Sequence, residues 1–194
     1  MALDHSCQAQ RHTNEERGLD HYDTPPEALH ALLKVLPLPT STRIWEPCAG
    51  TGNLVQVLRA RGHRVVASDI ADRGCPDCYL TDFFTVRELS LDCEVILTNP
   101  PYRWVEKFVR HALELKPKLL ILLLRLAFYE SERRCDILEN CGLMHVFQFR
   151  KRLPMMHRAT WNGKKANSGM AFAWYIWKPD YTGLTTISRI SWER

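Results

Sequence analysis

The segment Thr98-Asn99-Pro100-Pro101-Tyr102 carries the residue types in this chain best suited to chemistry. Two successive prolines remove two backbone donors and stiffen the turn. Asn99, preceding a proline, is biased to extended backbone. What remains is a rigid ledge of acceptors, the Asn99 side-chain carbonyl and the Pro100 main-chain carbonyl, with the flat face of Tyr102 beside them. Such a ledge suits a planar group bearing an NH2, whose nitrogen is a poor nucleophile because its lone pair is delocalised. Two acceptors holding both N–H bonds favour a pyramidal nitrogen and stabilise the positive charge it gains during attack. No strong general base is required, because the cationic product nitrogen is itself a strong acid. The same residues could form a plain proline-rich turn, so context has to decide.

That context is a glycine turn upstream, Glu46-Pro47-Cys48-Ala49-Gly50-Thr51-Gly52, between an apolar strand-like segment and a helical one. Gly50 and Gly52 let the backbone turn sharply and approach a ligand closely. Asp69, 19 residues beyond Gly50, ends the next strand, where a carboxylate can accept from both hydroxyls of a ribose. A dinucleotide site would want a third glycine where Val55 stands, and no acid on the first turn. Glu46 instead suits a cofactor with a cationic head, such as the amino group and sulfonium of S-adenosylmethionine. Asp82-Phe83 follows a third short strand; the acid can accept from an adenine amino group and the ring can cover it, or the pair can be a helix cap and a core aromatic.

A third feature is charge. Arg150, Lys151, Arg152, Arg158, Lys164 and Lys165 place six cations in 16 residues without an acid, interleaved with Met155, Met156, His157 and Trp161. Cations for phosphates and an aromatic for stacking are the ingredients of a nucleic-acid contact, although a basic run can also be solvated surface.

The elements that must position these groups alternate. Helical spacing follows Pro25-Pro26 over Glu27 to Leu36, and further helices are expected at 52–61, 104–115 and 130–140, with a helical turn at 85–89. Strands are expected at 43–47, 63–69, 79–80, 93–98, 118–125, 144–150 and 170–177. The continuous aliphatic runs at 65–67, 95–97 and 119–124 read as parallel strands covered on both faces. The strand at 170–177 has no helix before it and is expected to run antiparallel near the C-terminal edge. Phe172, Trp174 and Trp177 read as core. Arg133-Arg134, on a helix with Glu130 and Glu132, reads as a surface salt-bridge face. Residues 1–20 are polar and aperiodic and read as a flexible arm, leaving 21–194 as one domain.

Composition agrees. The 194 residues are 45% hydrophobic and 25% charged, with a net charge of +4, which excludes a disordered chain. The longest aliphatic run, Leu119 to Leu124, is far too short to cross a bilayer, and no secretory signal is visible. Seven cysteines, an odd number, point to a reduced, cytoplasmic setting. Cys75-Pro-Asp-Cys78 lacks a second ligand pair; it is read as a loop with two small apolar residues, and no metal is expected.

The order Tyr22-Asp23-Thr24-Pro25-Pro26, the Glu46 to Gly52 turn, Asp69, Asp82-Phe83 and Asn99-Pro100-Pro101-Tyr102 resembles class I S-adenosylmethionine-dependent amino-methyltransferases. The likeness is greatest to the N6-adenine type and its small phage and prophage relatives, and runs from about residue 22 to 178. The resemblance implies a Rossmann-like α/β fold with a seven-stranded, mostly parallel sheet and helices on both faces. It implies methyl transfer to an exocyclic amine, N6 of adenine in DNA, with Asn99, Pro100, Pro101 and Tyr102 as catalytic ledge. It places the cofactor against Tyr22, Thr24, Pro25, Glu46, Cys48, Ala49, Gly50, Gly52, Asp69, Ile70, Asp82, Phe83 and Asn99, and the substrate against the six basic residues. The short chain leaves no room for a separate target-recognition domain, which keeps RNA adenine or protein glutamine open as acceptors, and also a non-catalytic cofactor- or nucleic-acid-binding subunit.

Overall fold

The computed structural model describes residues 23–89, 92–154 and 169–193. Helix α1 spans Pro26–Val35, β1 Arg43–Glu46, α2 Asn53–Ala60, β2 Arg64–Asp69 and β3 Cys78–Leu80. They are followed by β4 Val95–Thr98, α3 Val105–Glu114, β5 Leu119–Arg125, α4 Cys135–Glu139, β6 Leu143–Phe149, β7 Phe172–Trp177 and β8 Thr186–Ile190. The strands form one sheet in the order β3-β2-β1-β4-β5-β7-β6-β8. Every pairing is parallel except those of β7, which runs antiparallel to both β5 and β6.

The two faces are separate cores. Leu29 and Leu32 of α1 and Leu54 and Leu58 of α2 pack on one face with Ile44, Val95, Ile121 and Leu123. Phe108 and Val109 of α3 and Ile137 and Leu138 of α4 pack on the other with Trp45, Ile96, Leu120 and Leu122. Strand β5 therefore sends successive leucines to alternate faces, which explains its unbroken aliphatic run. Each fully buried Leu or Ile there contributes about 1.5–3 kcal/mol of transfer free energy. Trp174 and Trp177 are fully buried on opposite faces of β7. Each satisfies its indole N–H on the helix layer above it, Trp174 on the Ala28 carbonyl at 2.9 Å and Trp177 on the Ile137 carbonyl at 2.8 Å.

Three expectations need correction. The sheet has eight strands: β8 continues the edge beyond β6, and its residues are exposed except Ile190, so no alternating apolar pattern marks it. The long helix expected at 130–140 is only α4, preceded by a 3-10 turn at Glu132–Arg134. Arg134 does not form the surface ladder expected with Glu130 and Glu132. It lies over the Phe128 ring, donates to the Phe128 carbonyl and pairs with Glu106 of α3, tying that turn to the neighbouring helix.

The order reverses between β1 and β4. From β1 the chain moves outward through β2 and β3, then returns to β4 on the other side. Crevices at the carboxyl ends of strands form at such a switch point. The glycine turn leaves β1 there and the Asn-Pro-Pro-Tyr segment leaves β4 there, so topology alone makes them neighbours.

Candidate functional site at the carboxyl ends of β1 and β4

The glycine turn is held by the strand beside it. Gly50 and Gly52 have φ of 56° and 88°, in the left-handed region where a side chain is strained. The Gly50 N–H donates to Asp69 Oδ2 at 2.9 Å, and the Ala49 N–H to the Ser68 carbonyl at 3.0 Å. The other carboxylate oxygen of Asp69 accepts from the Ala71 N–H at 3.1 Å and from Arg73 Nε at 3.4 Å. Asp69 is 5% exposed. Behind Gly52 lies Cys75: a Cβ at Gly52 would sit 2.9 Å from its Sγ. Cys75 packs with Ala49, Val55 and Ala67. Burial raises the pKa of its thiol, and burial first, then the charge of Cys75, pushes Cys78 up to about 12.

Glu46, the last residue of β1, is 1% exposed, and neither of its carboxylate oxygens has a hydrogen-bond partner; the neighbouring Thr98 hydroxyl is buried without one as well. Burial raises the Glu46 carboxyl well above the usual range. The Thr98 hydroxyl and Cys48 amide, close by but outside hydrogen-bond geometry, pull it down more weakly, and the Asp69 charge adds to the rise. An unpartnered buried acid directly before the turn is costly, and a cation arriving there would relieve that cost.

The ledge is stitched to the start of the described chain. Asn99 Nδ2 donates to Thr24 Oγ1 at 2.9 Å, which orients the amide and leaves Oδ1 as its acceptor end. Asn53 Nδ2 donates to the Thr24 carbonyl at 3.1 Å, and Thr51 Oγ1 to Asp23 Oδ1 at 2.8 Å. Residues 23 and 24 therefore bridge the glycine turn and the ledge. Tyr102 Oη donates to Asn99 Oδ1 at 2.7 Å. The Tyr102 ring faces Phe172, centroids 5.8 Å apart, with the Arg125 guanidinium 4.6 Å from its centroid. Phe172 and Arg125 thus pack on the Tyr102 ring, which also lines the cavity.

Asp82 accepts from the Phe84 N–H at 2.9 Å and caps a 3-10 turn at Phe83–Thr85. Phe83 is buried, stacked on Phe108 at 4.0 Å and packed on Trp45. Phe84 is the less buried ring, with Lys107 Nζ 4.3 Å from its centroid.

These groups enclose one cavity of about 450 Å3, within the range of small-molecule sites. Of the residues expected to bind or react, Thr24, Cys48, Ala49, Gly50, Asp69, Ile70, Asp82, Phe83, Asn99, Pro100, Pro101 and Tyr102 line it. Pro25, Glu46 and Gly52 do not: Pro25 caps α1, and Glu46 and Gly52 flank lining residues. Arg150, Lys151 and Arg152 line a separate hollow of about 350 Å3, whose Phe172 faces Tyr102 of the cavity wall, and Lys151 is paired with Glu193 at 2.7 Å. Tyr22, Arg158, Lys164 and Lys165 lie outside the described residues. Asp23, part of the Tyr22 to Pro26 motif, is on the wall as well, and sequence reasoning passed over Asn53, Arg73, Phe84, Trp104 and Lys107, which also line it. Each sits within five residues of a motif residue, which is the signal that could have found them.

Among the described residues no group of three His, Cys, Asp or Glu is placed to hold a metal, and no helix is long and apolar enough to cross a membrane.

No protein-family model matches this sequence, and no curated protein matches it significantly. Solved structures share its fold. A Pyrococcus horikoshii protein, provisionally described as an RNA methyltransferase, superposes with a TM-score of 0.62 at 15% identity, over 83% of this chain and 87% of that one. The methyltransferase subunit of a type I restriction-modification system from Streptococcus thermophilus superposes at 0.62 and 12% identity, over 87% of this chain and 47% of the other. A Listeria monocytogenes protein, provisionally described as a class I S-adenosylmethionine-dependent methyltransferase, gives 0.54 at 14% identity, over 82% and 61%. The chain thus spans about half to three fifths of the last two. Its fold is the Rossmann-like α/β fold of these methyltransferases. At such identities the likeness concerns the fold, and the chemistry must be argued from the site.

Proposed function

We propose that this chain transfers a methyl group from S-adenosylmethionine to an exocyclic amine, N6 of adenine in DNA. The observation that carries the proposal is the shared cavity: a glycine turn held by Asp69 on one wall and Asn99, its amide oriented by Thr24, on another.

The residues fit the cofactor by their chemistry. The unpartnered, buried Glu46 carboxylate suits a cationic head, and the left-handed Gly50 and Gly52 allow close backbone approach. Asp69 suits ribose hydroxyls. Asp82 and the Phe84 ring suit an adenine edge and face. When bound, the cofactor supplies an activated methyl on a sulfonium. The ledge supplies the rest: Asn99 Oδ1 and the Pro100 carbonyl accept the two N–H bonds, hold the nitrogen lone pair toward the cofactor wall and stabilise the charge that develops on nitrogen. Thr24 fixes which end of the Asn99 amide faces the acceptor. The product nitrogen then loses its proton to water. In duplex DNA the base has to leave the stack to reach this ledge. A reducing, cytoplasmic setting goes with the six free thiols among the described residues.

Purified protein incubated with labelled cofactor and DNA, RNA or a glutamine peptide tests the reading. Label in DNA adenine is expected. Label in RNA or in peptide alone reassigns the acceptor, and cofactor binding without transfer to any of the three removes the enzyme reading in favour of a binding subunit.

A further inference from the structure

Beside the ledge stands an aromatic residue that the proposed reaction does not use. Trp104 follows Tyr102 by two residues, lines the same cavity and is 50% exposed. A lone exposed aromatic means little; its surroundings make this one informative. The Tyr102 ring is engaged by Phe172 and Arg125, and Phe83 and Phe108 are buried against each other. Trp104 is the exposed aromatic of the described cavity wall. The Arg103 guanidinium lies over its ring, 5.1 Å from the centroid, and Lys107, whose ammonium lies over the Phe84 ring, lines the same wall. A half-exposed indole carrying a guanidinium over its ring, on a cavity wall that also holds a lysine, matches the way single-stranded nucleic acids are held, by stacking on aromatics and by cation contacts.

We propose that Trp104 and Arg103 form a stacking site for an unpaired nucleobase next to the methyl-accepting one. This rests on the nucleic-acid reading above and sharpens it. Two residues of backbone separate Trp104 from Tyr102, at most about 7 Å, so a base on Trp104 belongs to a nucleotide near the target in the strand. The site is sequence-tolerant, because every base has a π-face. The acceptor is therefore single-stranded, or opened over more than the target nucleotide.

The test uses the full chain and labelled oligonucleotides of one sequence as single-stranded DNA, RNA and duplex DNA, with binding read by anisotropy. Trp104→Ala is expected to weaken single-strand binding by about 5- to 100-fold, and Trp104→Phe to retain affinity within about threefold. Cofactor affinity is expected to stay unchanged in both, which shows the fold intact, and the salt dependence of binding to keep its slope, because no phosphate contact is removed. If the wild type binds a strand and Trp104→Ala binds it equally well, the stacking site is refuted while the nucleic-acid reading stands. If the wild type binds none of the oligonucleotides and methylates a glutamine peptide, both are refuted together. Preference for DNA over RNA, or the reverse, identifies the strand that supplies the base.

Discussion

Gly50 donates its backbone N–H to Asp69 across 2.9 Å, joining the turn at the tip of β1 to the tip of β2. The acid expected to serve a ribose also holds the turn on which the cofactor would rest. Removing it has two separable effects. Asp69→Ala leaves a buried N–H without a partner, which costs about 1–3 kcal/mol and lowers Tm by about 2–10 °C for a chain of this size. Asp69→Asn keeps an acceptor for Gly50 but turns an NH2 toward the Ala71 N–H and Arg73, so it is expected to recover part of that Tm, while both variants lose cofactor affinity. Calorimetric unfolding and titration separate the two, and unchanged affinity in Asp69→Ala would refute the ribose role.

Glu46 makes stability depend on pH. Burial holds its carboxyl well above the usual range, whereas in the unfolded chain it ionises near 4.5. Between those values the folded protein retains a proton that the unfolded chain has released. The Glu46 contribution to stability therefore falls as pH rises from about 4.5 through the raised value. Glu46→Gln abolishes that slope, so its Tm advantage over the wild type grows with pH across this window. A cation that ionises Glu46 releases its proton, so wild-type cofactor affinity rises with pH, whereas that of Glu46→Gln is weaker and flat. Equal pH profiles for the two proteins would exclude Glu46 as the partner of the cationic head.

Gly52 has φ of 88° and Cys75 at its back. Gly52→Ala is expected to destabilise the fold by more than about 1 kcal/mol from backbone strain alone, and further from the collision with Sγ. Adding Cys75→Ala recovers the steric part and leaves the strain. Denaturant titration of the single and double variants measures both.

Asn99→Ala removes an acceptor that acts on the developing charge. A loss in kcat of about 100- to 1,000-fold is expected, with cofactor affinity within about threefold of the wild type. Thr24 is a positioning residue for the same amide: Thr24→Val lowers kcat and Thr24→Ser restores it. A fully active Asn99→Ala would overturn the ledge mechanism.

The hollow lined by Arg150 and Arg152 adjoins Phe172, which faces Tyr102. If these arginines contact phosphates, Arg150→Gln with Arg152→Gln reduces the salt slope of DNA binding by up to about two. An unchanged slope marks them as solvated surface.

The alternation of aliphatic runs with amphipathic segments was enough to set the parallel sheet, because strands covered on both faces must be apolar throughout. The Asn-Pro-Pro-Tyr and glycine segments announced themselves by residue type, since only proline and glycine impose those backbone restrictions. β8 was not legible, because an exposed edge strand leaves no burial pattern in its residues. Neither was the direction of side chains. The sequence places Tyr102 beside Asn99 but does not say that its ring turns onto Phe172 and Arg125, leaving Trp104 in the open. Nor does it say that Phe83 is buried against Phe108 and Trp45 while Phe84, also on the cavity wall, is the less buried ring. Those choices are made by residues 20 to 75 positions away along the chain, such as Thr24 for Asn99 and Phe172 for Tyr102. Local spacing carries no information about such partners; the order of strands at the switch between β1 and β4 brings them together.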